Sequence, residues 1–175
     1  QSCDEVGEHM SAAYLNLGTV YWRKGDTRNA IQSLQKALSV HKSDMIKQGK
    51  SIDESTTAAS VYHQLGLCYA LSKKWSKAIS ALMKAKEIRT QVAGLNDASV
   101  AQTLDAIGKV RFMQGQYDEA LVCHQHAIRS FQAAGVYNTA STLTNIANVH
   151  TATGNWTAAL TVLQEVCNLK KMGAV

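Results

Sequence analysis

One block of 25 residues occurs four times along this chain of 175 residues, and the repetition constrains the fold more than any other feature. The copies span residues 14–38, 62–86, 104–128 and 143–167. Each has a helical apolar pattern interrupted at the same position by a small residue, which is Gly18, Gly66, Gly108 or Ala147. Glycine inside a helix costs about 1 kcal/mol relative to alanine. We therefore expect two helices to approach each other closely at this position.

The composition favours long helices joined by short turns. The chain contains no proline, 46% of its residues are hydrophobic, and valine and isoleucine form no alternating runs, so an all-α protein is predicted. Each copy divides into two helices at a turn: Gly25-Asp26, Lys73-Lys74, Gly115-Gln116 and Gly154-Asn155. In the first copy, Gly18 is expected to face the small residue Ala30 of the second helix.

The block resembles the tetratricopeptide repeat, whose signature is an aromatic residue, x2, Leu-Gly, x2, Tyr and then Ala-x3-Phe. The first two copies carry it as Tyr14, Leu17, Gly18, Tyr21, Ala30 and Leu34, and as Tyr62, Leu65, Gly66, Tyr69, Ala78 and Leu82. The later copies depart from it at Arg111, His124 and His150. The resemblance implies a right-handed α-solenoid of about four helix-turn-helix repeats in one domain, 1–175, with repeats near 11–50, 57–92, 98–134 and 137–172.

The small residues lie 48, 42 and 39 positions apart, which exceeds the usual repeat length of about 34. The helical pattern continues beyond the second helix of each copy, so extended second helices are predicted. Long second helices followed by a Gly-x-Asn/Asp loop are similar to the 42-residue repeats of kinesin light chains, although the proline usual in that loop is missing.

The resemblance implies that the first helices line a concave groove that binds a peptide or a partner helix, as in a scaffold or adaptor. The candidate groove residues are Asn16, Thr19, Trp22, Arg23, His63, Gln64, Leu67, Lys109, Phe112, Asn145 and Asn148. A ladder of carboxamides at Asn16, Gln64, Asn145 and Asn148 is suited to pairing with the backbone of an extended peptide. The alternatives are ordinary polar residues on a hydrated face, and core packing of Trp22 and Phe112.

No catalytic chemistry is expected. The sequence lacks a G-x-S-x-G motif, a phosphate-binding loop and an HExxH motif. Cys123 and His126 form only half of a metal site, and His124 occupies a core position, where a hydrogen-bonded buried histidine is the expectation. We predict a protein that is not an enzyme and that holds neither a cofactor nor a metal.

The formal net charge of +5 is concentrated between residues 23 and 89, which hold 13 basic and 5 acidic residues. Its densest part contains Lys73, Lys74, Lys77, Lys84, Lys86 and Arg89. One alternative function is therefore a helical-repeat module that binds nucleic acid. The unequal repeat spacing argues against it, because reading one base per repeat needs a constant spacing.

The remaining expectations concern compartment and chain ends. Cys3, Cys68, Cys123 and Cys167 form no CxxC pair, which favours a reducing compartment such as the cytoplasm. No apolar run is long enough for a membrane span, and the first residue is not methionine, so a targeting segment is expected to be missing.

The last helix has too many apolar residues for one stripe: Leu160, Val162, Leu163, Val166, Cys167 and Leu169. We expect further repeats or homo-oligomer contacts there, and a self-assembling structural repeat protein is a further alternative.

Overall fold

The described part of the chain is all-α, as predicted. A computed structural model describes residues 3–137 and 139–171, with side chains for 9–137 and 139–169. The helices are α1 (Cys3–Arg23), α2 (Thr27–Lys47), α3 (Thr56–Leu71), α4 (Trp75–Ala93), α5 (Ala98–Met113), α6 (Tyr117–Ala133), α7 (Ala140–Ala152) and α8 (Trp156–Lys171). A short 3-10 turn, Ile52–Glu54, precedes α3, and the described residues contain no strand.

The helices follow the four predicted pairs. The chain forms two compact units, residues 1–92 and 93–175, and each unit holds two of the pairs. In the first unit α1 packs on α2, and α2 packs on α3. In the second unit α5 packs on α6, α6 on α7, and α7 on α8. The organisation as one domain stays a prediction.

The turns inside the pairs need a left-handed backbone. Gly25, Gly115 and Gly154 have φ angles of 84°, 77° and 73°, which confirms the predicted turns. In the second pair Lys73 takes the same place with φ 56°. A side chain in this conformation costs about 1 kcal/mol or more, and glycine avoids this cost because it has no Cβ atom.

The second helices are extended, as predicted, but they are not the whole cause of the irregular spacing. Helices α2 and α4 have 21 and 19 residues, whereas α3 between them has 16. The longest interval also contains the 3-10 turn, which the sequence analysis did not predict. Ser51 caps this turn and Ser55 caps α3, each by accepting a backbone N–H, so the additional residues form an ordered connection.

The close approach at the small residue is confirmed, but its partner differs from the one expected. A Cβ atom on Gly18 would lie 2.7 Å from Leu34 Cγ, whereas Ala30 contributes only its carbonyl oxygen, at 3.4 Å. The expected contact with Ala30 is thus mainly a contact with the Leu34 side chain. The same arrangement recurs between Gly66 and Leu82 and between Gly108 and His124.

Candidate functional site

Three helices of the second unit meet at one carboxylate. Asp105 on α5 is 6% exposed and accepts hydrogen bonds from His124 Nδ1 on α6 at 2.8 Å and from Asn145 Nδ2 on α7 at 3.0 Å. Lys109, one turn further along α5, places its Nζ atom 2.8 Å from Asp105 Oδ2. We call these four side chains the Asp105 cluster. Because its members come from consecutive helices, the cluster fixes their relative positions.

The cluster keeps Asp105 ionised. Burial raises the pKa of this carboxyl group, but the hydrogen bonds from His124 and Lys109 and their positive charges have the larger combined effect and lower it to about 2. Asp105 is therefore an acceptor at neutral pH. His124 is 1% exposed, which confirms the interpretation of this residue as a hydrogen-bonded core histidine.

The ionised state makes the contribution of Asp105 to stability dependent on pH. The folded-state pKa of about 2 lies below the ordinary value of 3.8, so this contribution is complete above about pH 4 and is lost as the pH falls towards 2. We expect wild type to lose about 2 kcal/mol of stability relative to Asp105→Asn over this range. Urea unfolding of both proteins at several pH values measures the difference. A difference that stays constant with pH would contradict the assignment.

A cavity of about 250 Å³ lies next to the cluster. Its lining consists of Lys109, Phe112, Met113, His124, Asn145 and Asn148. Four of these are predicted groove residues: Lys109, Phe112, Asn145 and Asn148. The Phe112 ring is half-buried and packs against the Tyr117 ring at a centroid distance of 5.5 Å, whereas Asn148 is exposed. The second unit thus places apolar and amide groups around one opening.

The carboxamides differ in how they are engaged. The Asn145 side-chain amide donates to both carboxylate oxygens of Asp105, so its donor group serves the protein itself. In the first unit, Gln64 Oε1 on α3 lies 2.9 Å from the Thr19 hydroxyl on α1. Asn16 and Asn148 are both exposed on their helices. The ladder is therefore only partly available to a partner, and its role stays a prediction.

The other predicted groove residues of the first unit lie on α1 and α3. His63, Gln64 and Leu67 are half-buried on α3, and Arg23 is exposed at the end of α1. Trp22 is half-buried and packs against the core cluster that contains Leu34. Its position agrees with the core-packing alternative for this residue.

Sequence reasoning missed Asp105, although it is the centre of the cluster. The signal was a departure from the repeat pattern. The position of Asp105 is taken by Leu15 in the first copy, and the position of His124 is taken by Leu34. The other copies have His63 and Thr144 at the Asp105 position, and Leu82 and Leu163 at the His124 position. The signal is therefore a histidine at a position that is otherwise leucine, together with an aspartate that can accept its hydrogen bond.

The two residues that could form half of a metal site are not joined by further ligands among the described side chains. Cys123 is half-buried and His126 is exposed on α6, and within the described ranges no three His, Cys, Asp or Glu side chains are grouped to hold a metal ion. The absence of metal and of catalysis stays a prediction. Among the described helices, none is long and apolar enough to cross a membrane.

Part of the basic stretch is neutralised locally. Lys84 Nζ lies 3.0 Å from Asp53 and 3.1 Å from Glu87, and hydrogen bonds to these two carboxylates raise its pKa. Lys73, Lys74 and Lys77 are exposed at the start of the fourth helix and in the turn before it. The strongest positive surface is therefore smaller than the sequence count indicates.

Sequence profiles of the tetratricopeptide repeat match residues 11–43, 57–133 and 139–172. No curated protein matches the chain by sequence.

Solved structures share the fold at low identity. The structure of BtubC (BKLC) from P. vanneervenii has a TM-score of 0.80 and 20% identity, over 93% of this chain and 63% of that one. The structure of aspartyl phosphate phosphatase F from Bacillus subtilis has a TM-score of 0.80 and 16% identity, over 96% of this chain and 42% of that one. The Rap conjugation gene regulator of plasmid pLS20 was solved in complex with the Phr* peptide. Its structure has a TM-score of 0.73 and 19% identity, over 89% of this chain and 41% of that one. This chain thus spans less than two thirds of these three structures.

Three profile matches cover the four helix pairs, the small residues lie at the contacts between paired helices, and the solved structures have the same arrangement of helices. The chain belongs to the tetratricopeptide repeat family.

Proposed function

We propose that this protein is an interaction scaffold or adaptor that binds an extended peptide or a partner helix along its first helices. The observation that carries the proposal is the cavity of about 250 Å³ beside the Asp105 cluster. Pockets that bind side chains of a partner combine apolar walls with a few polar groups that fix orientation. This cavity has both.

The lining residues have different roles. Phe112 and Met113 supply apolar surface for a side chain of the partner. Asn148 is exposed and offers a donor and an acceptor to a peptide backbone. Lys109 and Asn145 are held by Asp105, so little side-chain freedom is lost when a ligand binds. A preorganised site of this kind lowers the entropic cost of binding a ligand.

The comparisons support this proposal at the level of the fold. One of the similar proteins, the pLS20 regulator, was solved in complex with a peptide. We propose the kinesin-light-chain-like subtype from the extended second helices and from the likeness to BtubC (BKLC). A reducing compartment, such as the cytoplasm, suits the thiols of Cys68, Cys123 and Cys167, which form no disulfides.

Peptides selected from a random displayed library against the wild-type chain test the groove. We expect Asn148→Ala and Phe112→Ala each to weaken binding of the selected peptides about tenfold, because each removes a lining group. Asn148 is a cleaner probe than Asn145, whose loss also disturbs Asp105. Gln125→Ala and Gln132→Ala, at exposed positions on α6, are matched controls. Fluorescence anisotropy with labelled peptides measures the affinities.

The nucleic-acid alternative rests on the exposed Lys73, Lys74 and Lys77. Binding that survives the groove variants but is lost in Lys73→Glu/Lys74→Glu/Lys77→Glu would overturn the groove proposal. A steep loss of affinity with added salt would support the same conclusion, because charge-driven contacts are screened.

A further inference from the structure

Helix α8 has an apolar face that no described residue covers. Trp156, Leu160 and Leu163 are 62%, 61% and 41% exposed, and Cys167 is exposed as well. Their spacing of four, three and four residues places them on one side of the helix. A neighbouring side of the helix holds Val166, which is 7% exposed and packs in the core cluster with Ala140 and Leu143 of α7. We call the four uncovered residues the α8 face.

Equivalent positions earlier in the chain show what such a face binds. In α2 they are Thr27, Ile31, Leu34 and Leu38, and in α6 they are Tyr117, Leu121, His124 and Ile128. Leu34 and His124 are 0% and 1% exposed, and the other six are half-buried. Helix α2 packs on α3 and α6 packs on α7. Leu34 and His124 contact the glycines of their own pairs. Leu34 also belongs to a core cluster with residues of α3, so this face of a second helix contributes to the contact with the following first helix.

Helix α1 also has an exposed apolar face. Met10, Leu17 and Val20 are 45%, 42% and 61% exposed, and Ala13 between them is also exposed. We call these four residues the α1 face.

The same positions are buried in the other first helices that dock on a preceding second helix. In α3 they are Ala58, Val61, Leu65 and Cys68, at 0–4% exposure. In α7 and its N-cap residue they are Thr139, Thr142, Ile146 and Val149, at 2–6% exposure. The α1 face is thus a docking surface of the type that α3 presents to α2.

We infer that the α1 face of one molecule docks on the α8 face of a second copy, in the arrangement in which α3 packs on α2. In that arrangement Leu34 shares a core cluster with Val61, Leu65 and Cys68. Their equivalents are Leu163 on α8 and Ala13, Leu17 and Val20 on α1. A cavity of about 400 Å³ at the α8 face, lined by Leu160, Leu163, Gln164, Cys167 and Asn168, receives these side chains.

The two faces favour head-to-tail contact over pairing of like ends. Head-to-tail contact repeats a packing that the chain already contains, in which the first helices α3 and α7 dock on the preceding second helices α2 and α6. Among the described side chains that line the α8 cavity, the polar ones are the uncharged amides of Gln164 and Asn168. Contacts of this kind are heterologous and join molecules into chains or rings. This surface is separate from the groove, and its test does not depend on the groove.

Complementary variants test the inference by light scattering and sedimentation. The mass of wild type is expected to rise with concentration above the 19.0 kDa of one chain. Val20→Glu and Leu163→Glu should each weaken self-association more than about tenfold, because each buries a charge in an apolar contact. Mixed together, the two variants retain one intact face each and should form a 1:1 dimer. Ile46→Glu, at a 65% exposed apolar position on α2, should behave as wild type.

Two results would overturn the inference. One is a wild-type chain that stays monomeric at every attainable concentration. The other is association that Val20→Glu leaves unchanged, since it would show that the α1 face takes no part. Circular dichroism of each variant establishes that it is folded.

Crosslinking provides a second measurement that needs no destabilising charge. Cys167 corresponds to Leu38, which packs against the cluster that contains Ala58, and Ala58 corresponds to Met10. A Met10→Cys variant treated with oxidised glutathione should therefore form disulfide-linked oligomers between molecules. Met10→Cys/Cys167→Ser should not form them. Equal crosslinking in both proteins would contradict the proposed docking geometry.

Discussion

Replacing Asp105 by leucine is expected to lower the free energy of unfolding by about 3 kcal/mol. The change leaves His124 buried at 1% exposure without the acceptor of its Nδ1 hydrogen bond. It also removes the carboxylate that pairs with Lys109 and Asn145. His124→Leu should cost less, about 2 kcal/mol, because Lys109 and Asn145 still neutralise and bind the remaining carboxylate.

The double variant Asp105→Leu/His124→Leu should recover nearly all of this loss. It gives the third repeat the pair that the first repeat has at the same positions, Leu15 and Leu34. Leu34 already packs against a glycine there, as a leucine at 124 would pack against Gly108. Replacing both partners of a buried hydrogen bond by well-packed apolar residues is often nearly neutral or stabilising. We expect the double variant to lie within about 1 kcal/mol of wild type.

Urea unfolding of wild type, the two single variants and the double variant gives a double-mutant cycle. The two single losses should not add, and the coupling between the positions should be at least about 2 kcal/mol. Additive losses would show that Asp105 and His124 act independently, and that the cluster does not connect the helices as a unit.

The parts of the fold that were predicted from the sequence depend on local patterns. The helices follow from the apolar period, and three of the turns follow from Gly25, Gly115 and Gly154, whose positive φ angles suit glycine. The repeat itself follows from comparing the chain with its own sequence. Lys73 shows the limit of this reasoning, because a lysine gives no local indication of a left-handed conformation.

The parts that were not predicted depend on contacts between helices. The sequence placed Asn145 and Gln64 at groove offsets, but it could not show that Asp105 binds Asn145 or that Thr19 binds Gln64. These pairs are 40 and 45 residues apart in the chain. The packing of consecutive repeats decides which side chains meet in these pairs. The residue pattern of a single helix does not contain that information.

Gly66→Ala is expected to destabilise the protein by about 2 kcal/mol, although alanine is the better helix former. The added Cβ atom would lie 2.5 Å from Leu82 Cγ and 3.2 Å from the Ala78 carbonyl oxygen. Leu82 is fully buried and cannot turn towards solvent, so α3 and α4 must separate. The cost of overpacking, typically about 1–3 kcal/mol or more, then exceeds a gain in helix propensity of about 1 kcal/mol.

Gly66→Ala should have the opposite effect on stability once the neighbouring side chain is shortened. In a Leu82→Ala background the Cβ atom of residue 66 has space, so Gly66→Ala should stabilise that variant by up to about 1 kcal/mol. The fourth repeat provides a natural counterpart, because it has Ala147 at this position, and Leu163, the equivalent of Leu82, is 41% exposed. Ala147→Gly should therefore cost about 1 kcal/mol, as in an ordinary helix. Thermal and urea unfolding measure all four variants. A Gly66→Ala protein as stable as wild type would show that the helices of the second repeat do not need the glycine in order to pack.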